Sequence, residues 1–271
     1  MSEPKNSLRD GYGFGRAAVL LGALLCLGCD DPGAESTGPG PSTGGCPEDG
    51  GAMSRLPSGF CIDRTEVTRG AYFSWLESEP ATDAQPAQCG ANDTYFPTCL
   101  TTGGWGLDRY LDNPVGCVDW CDASSFCEAH GKRLCGRIGG GASPMDAYDD
   151  AAQNEWFAAC SSGGVNDYVF GEEYVARACY ESLESTWGTA EATSFGACES
   201  PDPDYAGVYD LGGNVAEWEN ACDGDGAEAR CRIRGGSFKH QANGIRCDAG
   251  ETLSFPRSAS DDAVGFRCCA D

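Results

Sequence analysis

The sequence predicts a loop-rich, disulfide-stapled globular domain of short helices and short strands. Three observations predict it. Glycine and proline number 39 and 14 among 271 residues, with aromatics at 10%; that balance suits a turn-dense fold with a core, not a helical bundle or a disordered tail. Cysteine occurs 18 times, which points to an oxidising compartment. Apolar periodicity comes in short runs, without the long strand–helix alternation of a Rossmann or barrel fold. The length suits one domain with its own hydrophobic core.

At the N-terminus, Lys5, Arg9 and Arg16 flank and precede the apolar run Ala17–Leu27. The run is too short to span a bilayer and has the length of a signal-peptide core. It ends in Gly28-Cys29, which resembles the lipobox of bacterial lipoproteins, with Cys26 where the usual leucine stands and Leu25 one step earlier. The resemblance implies that residues 1–28 are removed and that Cys29 becomes a lipidated N-terminus in the cell envelope, facing the periplasm or the cell surface. Sixteen cysteines then remain, an even number that allows eight disulfides. Residues 29–45 are rich in Gly, Pro, Ser and Thr and read as a flexible tether. The folded domain is expected over 46–271.

Lys and Arg total 18 against 42 Asp and Glu, a net charge of −24. A field of that sign repels nucleic acid and anionic lipid headgroups, so membrane contact is expected through the lipid alone. The only histidines are His130 and His240, which excludes a three-histidine metal site.

Along the domain, Cys61–Thr68 is β-prone, and Arg69–Glu77 carries Tyr72, Phe73 and Leu76 at helical spacing. Residues 81–111 read as irregular. Asp122–His130 predicts a helix with Ala123, Phe126 and Cys127 on one face, and Gly131 is its natural stop. Ala151–Cys160 predicts another helix, after which short strands and turns dominate. Asp223-Gly224-Asp225-Gly226 lacks the third acidic ligand of an EF-hand and reads as an acidic turn; Gly139-Gly140-Gly141 has no following Lys-Ser/Thr and is not a phosphate loop.

Eight phrases fall in a telling order. They are Cys61–Thr68 (CIDRTEVT), Asn113-Pro114-Val115 with Val118-Asp119-Trp120, Ala123 through Phe126-Cys127, Gly131-Lys132-Arg133-Leu134, Glu155-Trp156, Asp210–Trp218 (DLGGNVAEW), Arg234–Phe238 (RGGSF) and Gly265–Cys268 (GFRC). Together they resemble the formylglycine-generating enzyme family, the sulfatase-modifying factors, over about residues 60 to 269. The resemblance implies an α+β fold related to C-type lectin domains, with many long loops. Relative to the family, Cys135 to Asn154 reads as an inserted lobe.

Family members that make formylglycine resemble copper oxidases. They hold Cu(I) with two cysteines shortly after the Gly-Gly-Ser-aromatic phrase, and soft thiolates suit that ion. Here His240 stands at the first position, Gly244 or Ile245 at the second, and the segment is about three residues shorter. Copper is therefore not expected. Ser237 matches the family's active-site serine but, with no metal to serve, reads as a turn hydroxyl. His240 reads as a hydrogen-bonded loop residue in the same groove. The resemblance implies disulfides Cys127–Cys268 and Cys160–Cys247, and proximity suggests Cys222–Cys231. Cys268 and Cys269 are adjacent and should take different partners. The resemblance also implies a structural Ca²⁺ held by the Asp210 side chain, the Gly213 and Val215 carbonyls and Glu217, hard oxygen donors on a tight loop. The expectation is an envelope-anchored, non-catalytic binding or structural module for a protein or small-molecule ligand. The alternative is an oxidoreductase acting on protein cysteine through a divergent metal site.

Overall fold

The structure, a computed structural model, describes residues 45–271 except 98, 100–107, 183–187 and 250–252. The signal segment 1–28, Cys29 and the tether up to residue 44 lie outside the described residues. Among the described residues no helix is long and apolar enough to cross a membrane.

Two four-stranded sheets organise the chain. The first has the order β1 (Met53–Arg55), β2 (Cys61–Asp63), β8 (Cys268–Ala270) and β3 (Arg133–Leu134), all antiparallel. The C-terminal strand β8 thus lies between two strands from the first half of the chain, with Cys269 opposite both Ile62 and Arg133. The second sheet runs β6 (Ser254–Pro256), β5 (Arg230–Arg234), β4 (Ala216–Cys222) and β7 (Val264–Gly265), with only the β4–β7 pair parallel.

Caps set the helices. Thr68 starts α1 (Arg69–Glu77) by accepting the Ala71 N–H at 3.2 Å. Its buried face carries Tyr72 and Trp75, while Phe73 and Leu76, expected on that face, pack only partly against the core. The reason is Phe126, whose ring lies 5.7 Å from Tyr72 and 5.5 Å from Trp75. Helix α2 (Trp120–Ala129) begins two residues before its expected start. Asp119 and Asp122 form a capping box there, the Asp119 carboxylate accepting the Asp122 N–H at 2.9 Å and Asp122 returning the favour at 3.1 Å. Helix α3 is shorter than expected, Glu155–Cys160, because Asn154 caps it by accepting the Phe157 N–H at 2.7 Å.

The first sheet separates two cores, and strand alternation assigns side chains to them. Leu134 and Cys268 face one core with Tyr72, Phe126, Trp218 and Phe266. Ile62, Cys135 and Cys269 face the other with Trp156, Phe157 and Leu211. The neighbouring cysteines of β8 accordingly bond to different partners, Cys268 to Cys127 and Cys269 to Cys135. Cys160–Cys247 and Cys222–Cys231 are also bonded, and with Cys46–Cys61, Cys89–Cys121, Cys99–Cys117 and Cys179–Cys198 they engage every cysteine from Cys46 to Cys269. The segment from Cys135 to Asn154 is not a separate lobe. It is bonded at Cys135, bridged to itself between Arg137 and Asn154, and tied to β4 where the Ser143 N–H donates to the Asn220 carbonyl at 2.7 Å.

Candidate functional site

The loop Asp210–Val215 turns sharply before β4. Asp210 and Asn214 adopt φ of +59° and +51°, a region that short polar side chains tolerate. At Gly213, with φ of +82°, a Cβ would sit 2.3 Å from the Tyr180 carbonyl oxygen, so only glycine fits. The Gly213 N–H donates to the Gly235 carbonyl at 2.9 Å, which fastens this loop to the Gly-Gly-Ser turn after β5.

The turn delivers Glu217 inward at 1% exposure. Its Oε1 accepts from Arg267 Nη2 at 2.7 Å, and Oε2 accepts from Arg267 Nε at 2.7 Å and Trp156 Nε1 at 2.8 Å. Arg267 also donates to the carbonyls of Asp63 at 3.0 Å and Tyr209 at 2.8 Å. This one guanidinium therefore ties β2, β4 and the stretch before β8. Bidentate pairs of this kind are the strong form of the interaction.

Two further buried carboxylates sit in the same field. Glu66, 1% exposed, accepts long bonds of 3.4 Å from the Val215 N–H and Asn214 Nδ2. Burial, with repulsion from Asp210 and Glu217, holds its pKa well above the ordinary value. Asp210 accepts the Thr193 N–H at 2.7 Å. Burial, added to by repulsion from Glu217, pushes it up to about 6. Three acids thus face one guanidinium, and negative charge is in surplus.

For calcium, the fit is partial. Asp210 and the two carbonyls of the expected set lie on one tight loop, and the surplus charge favours a cation. Glu217 is already engaged by Arg267 and Trp156, leaving one of its roughly four lone-pair directions for a metal. Among the described residues no three His, Cys, Asp or Glu side chains converge to hold an ion, so any site here depends on the backbone carbonyls.

The Ser237 turn is built differently. Gly236 has φ of +66°, and a Cβ there would lie 2.1 Å from the Gly244 carbonyl oxygen. Ser237 is fully buried. His240 Nδ1 accepts the Ser237 N–H at 3.1 Å and lies 2.9 Å from Ser237 Oγ. Because a backbone N–H donates to it, Nδ1 carries no proton, and the ring is the Nε2–H tautomer. Burial, then the charge of Lys239, lowers the His240 pKa below its ordinary value, so the ring is neutral at pH 7. Serine and histidine therefore close a local turn on each other. A Cβ at Gly244 would lie 2.7 Å from the His240 Cβ, so the imidazole packs against the segment where a second ligand would stand.

Copper does not fit these residues. Cys231 and Cys247, which flank the Ser237–His240 turn in sequence, are bonded to Cys222 and Cys160, and the Cys247 carbonyl accepts from Arg234 Nη2 at 2.9 Å. No thiolate remains among the described residues. Arg267 and Glu66 were the partners that motif reading missed. Both stand inside quoted phrases, Gly-Phe-Arg-Cys and Asp-Arg-Thr-Glu-Val-Thr; for Arg267 the available signal was a charge set between the apolar Phe266 and Cys268, and for Glu66 the sequence offered none beyond its place in the phrase.

Comparison with known proteins agrees with this architecture. A profile described as the sulfatase-modifying factor enzyme 1-like domain matches residues 38–271. The "Inactive C-alpha-formylglycine-generating enzyme 2" of Bos taurus is 29% identical over 217 residues, which are 72% of this chain and 58% of that protein. The "Serine/threonine-protein kinase pkn1" of Chlamydia pneumoniae is 27% identical over 237 residues, 77% of this chain and 32% of that protein. The chain therefore spans about three-fifths and one-third of these relatives. Among solved structures, PvdO from Pseudomonas aeruginosa superposes with a TM-score of 0.51 at 20% identity, covering 78% of this chain and 80% of that one. CarF superposes with a TM-score of 0.50 at 20% identity, covering 78% and 85%. With nearly the whole described region matched, the chain belongs to the sulfatase-modifying factor enzyme 1-like domain family.

Proposed function

We propose that this chain is a catalytically silent member of its family, a binding or structural module held at the cell envelope by lipid on Cys29. One observation carries the reading. The family's copper chemistry needs two thiolates, and every cysteine from Cys46 to Cys269 is committed to a disulfide while His240 Nδ1 is occupied by Ser237. Relatives bearing the word "inactive" in their names are consistent with it. The test is Cu(I) titration against a competing chelator. No stoichiometric site of about micromolar or tighter affinity is expected, and one such site would contradict the reading.

The lipid anchor rests on the basic start, the apolar run and Gly28-Cys29. Intact mass of the mature protein from its native host is expected to show an acylated Cys29 as the first residue. A soluble, unmodified form would refute the anchor, and the module would then be simply exported.

Calcium at Asp210, Gly213, Val215 and Glu217 is proposed as a structural ion, with Glu217 its weakest ligand. Asp210 must be ionised to bind it, and its pKa is about 6. Calcium is therefore expected to raise the melting temperature at pH 7 and to do so much less at pH 5. Identical melting in calcium and in chelator at pH 7 would leave Arg267 as the loop's sole cation.

A further inference from the structure

Among the described residues, one disulfide joins facing positions of two paired strands. Cys222 of β4 lies directly opposite Cys231 of β5, and the two are bonded. The other cysteines within strands face different residues. Cys61 lies opposite Arg55 and Ala270, Cys268 opposite Leu134, and Cys269 opposite Ile62 and Arg133.

This placement works against the bond. A relaxed disulfide sets its Cα atoms about 5.5–6 Å apart, with about 4.4 Å near the lower limit. The strand pairing holds Cys222 and Cys231 at 4.0 Å, whereas the other seven pairs span 4.6 to 5.7 Å. A bond held off its relaxed spacing is the easier one to reduce. Access favours it as well. Cys222 is half-buried, a property shared only with Cys46 and Cys99, and those two belong to pairs at 5.7 and 5.5 Å.

The hairpin does not depend on the bond. Just beyond it, the Asp223 N–H donates to the Arg230 carbonyl at 3.0 Å, and Asp223 Oδ1 accepts the Arg230 N–H at 2.7 Å. On the other side of β5, Arg230, Cys231 and Arg232 pair with β6. At the tip, the Gly224 and Gly226 carbonyls each accept from an Arg257 Nη at 2.9 Å. The bond also closes the shortest loop, a separation of 9 residues where the others run from 15 to 141, so it removes the least denatured-chain entropy. An irregularity in register between Trp218 and Cys222 sets this rung apart from Glu217 and the buried acids.

We propose that Cys222–Cys231 is a thiol–disulfide exchange site, opened in the folded domain by a dithiol reductant while the other seven bonds stay closed. A thiolate of the dithiol attacks the Cys222 sulfur. The bond to Cys231 breaks, and Cys231 leaves as a thiolate and takes up a proton. The reductant's second thiol loses its proton and attacks the mixed disulfide, which forms the reductant's own disulfide and releases Cys222 as a thiolate that is protonated in turn. Two electrons pass from the dithiol to the protein. The site does not rest on the reading of the Ser237–His240 turn.

Graded dithiothreitol on the full mature chain, quenched by alkylation and read by peptide mass, tests it. Cys222 and Cys231 are expected to be labelled together, at a dithiol concentration about tenfold or more below that which labels any other cysteine. Far-ultraviolet circular dichroism is expected to stay unchanged at that lower concentration. The double variant Cys222→Ser, Cys231→Ser is expected to fold and to show no labelled cysteine there. Labelling of another pair first would overturn the proposal. So would labelling of these two only together with loss of the dichroism signal, or a double variant that fails to fold.

Discussion

Excess dithiol is expected to unfold this domain outright. Two of the eight bonds close loops with sequence separations of 141 and 134 residues, Cys127–Cys268 and Cys135–Cys269. Each removes on the order of 5 kcal/mol of denatured-chain entropy in the loop-closure description, and the six shorter bonds about 2–4 kcal/mol each. Their sum exceeds the 5–15 kcal/mol by which a typical domain is stable. Both long bonds also anchor β8, which fills the middle of the first sheet, so their loss frees the strand that joins the two ends of the domain. Far-ultraviolet circular dichroism should collapse on reduction at room temperature. Under denaturing, non-reducing conditions, alkylation should label none of the sixteen cysteines from Cys46 to Cys269. A folded, fully reduced protein would show that the cores suffice alone.

Arg267→Ala is expected to be the most damaging single substitution among the charged residues. It strands Glu217 in a fully buried position and takes the one guanidinium away from Glu66 and Asp210. Breaking a buried pair by removing one partner costs about 3–5 kcal/mol, and here two further acids share the loss. Denaturant melts at pH 7 check the magnitude. The pH dependence checks the cause. The folded-state pKa of Asp210, about 6, lies above the ordinary carboxylate value of 3.8, so the folded state holds a proton there that the unfolded chain has released. Stability should therefore fall as pH rises through that window, and it should fall more steeply in the variant. Arg267→Ala with Glu217→Gln should recover part of the loss. A variant no less stable than wild type would mean that the carboxylates are already neutralised by something else.

Parts of this architecture were legible in the residues and parts were not. Helix α1 was readable from its helical apolar spacing, although its Thr68 cap went unread at the end of a β-prone run; its exact face was not readable, because the ring of Phe126, far along the chain, draws in Trp75 in place of Phe73. The start of α2 slipped by two residues because Asp119 was read as part of a family phrase instead of as a cap. The bonds of Cys127 and Cys160 followed from resemblance, whereas Cys89–Cys121 and Cys179–Cys198 depend on loop paths that no spacing encodes. At the site, the sharp Asp210–Glu217 loop was visible as a motif, and Ser237 and His240 were visible as neighbours in sequence. That they spend their hydrogen bonds on each other became evident only from the 2.9 and 3.1 Å contacts. The burial of Glu66 and the role of Arg267 are long-range facts, since 201 positions separate residues that share one field.

On the reading proposed above, the groove beside Ser237 and His240 performs no oxidation. Its most direct test is to load purified, oxidised protein with Cu(I), add a cysteine-containing sulfatase peptide and oxygen, and follow the peptide mass. The expected result is unchanged peptide, in wild type and in His240→Ala alike. Conversion of the peptide cysteine to formylglycine by the wild type, lost in His240→Ala, would overturn the non-catalytic reading and assign catalysis to that imidazole.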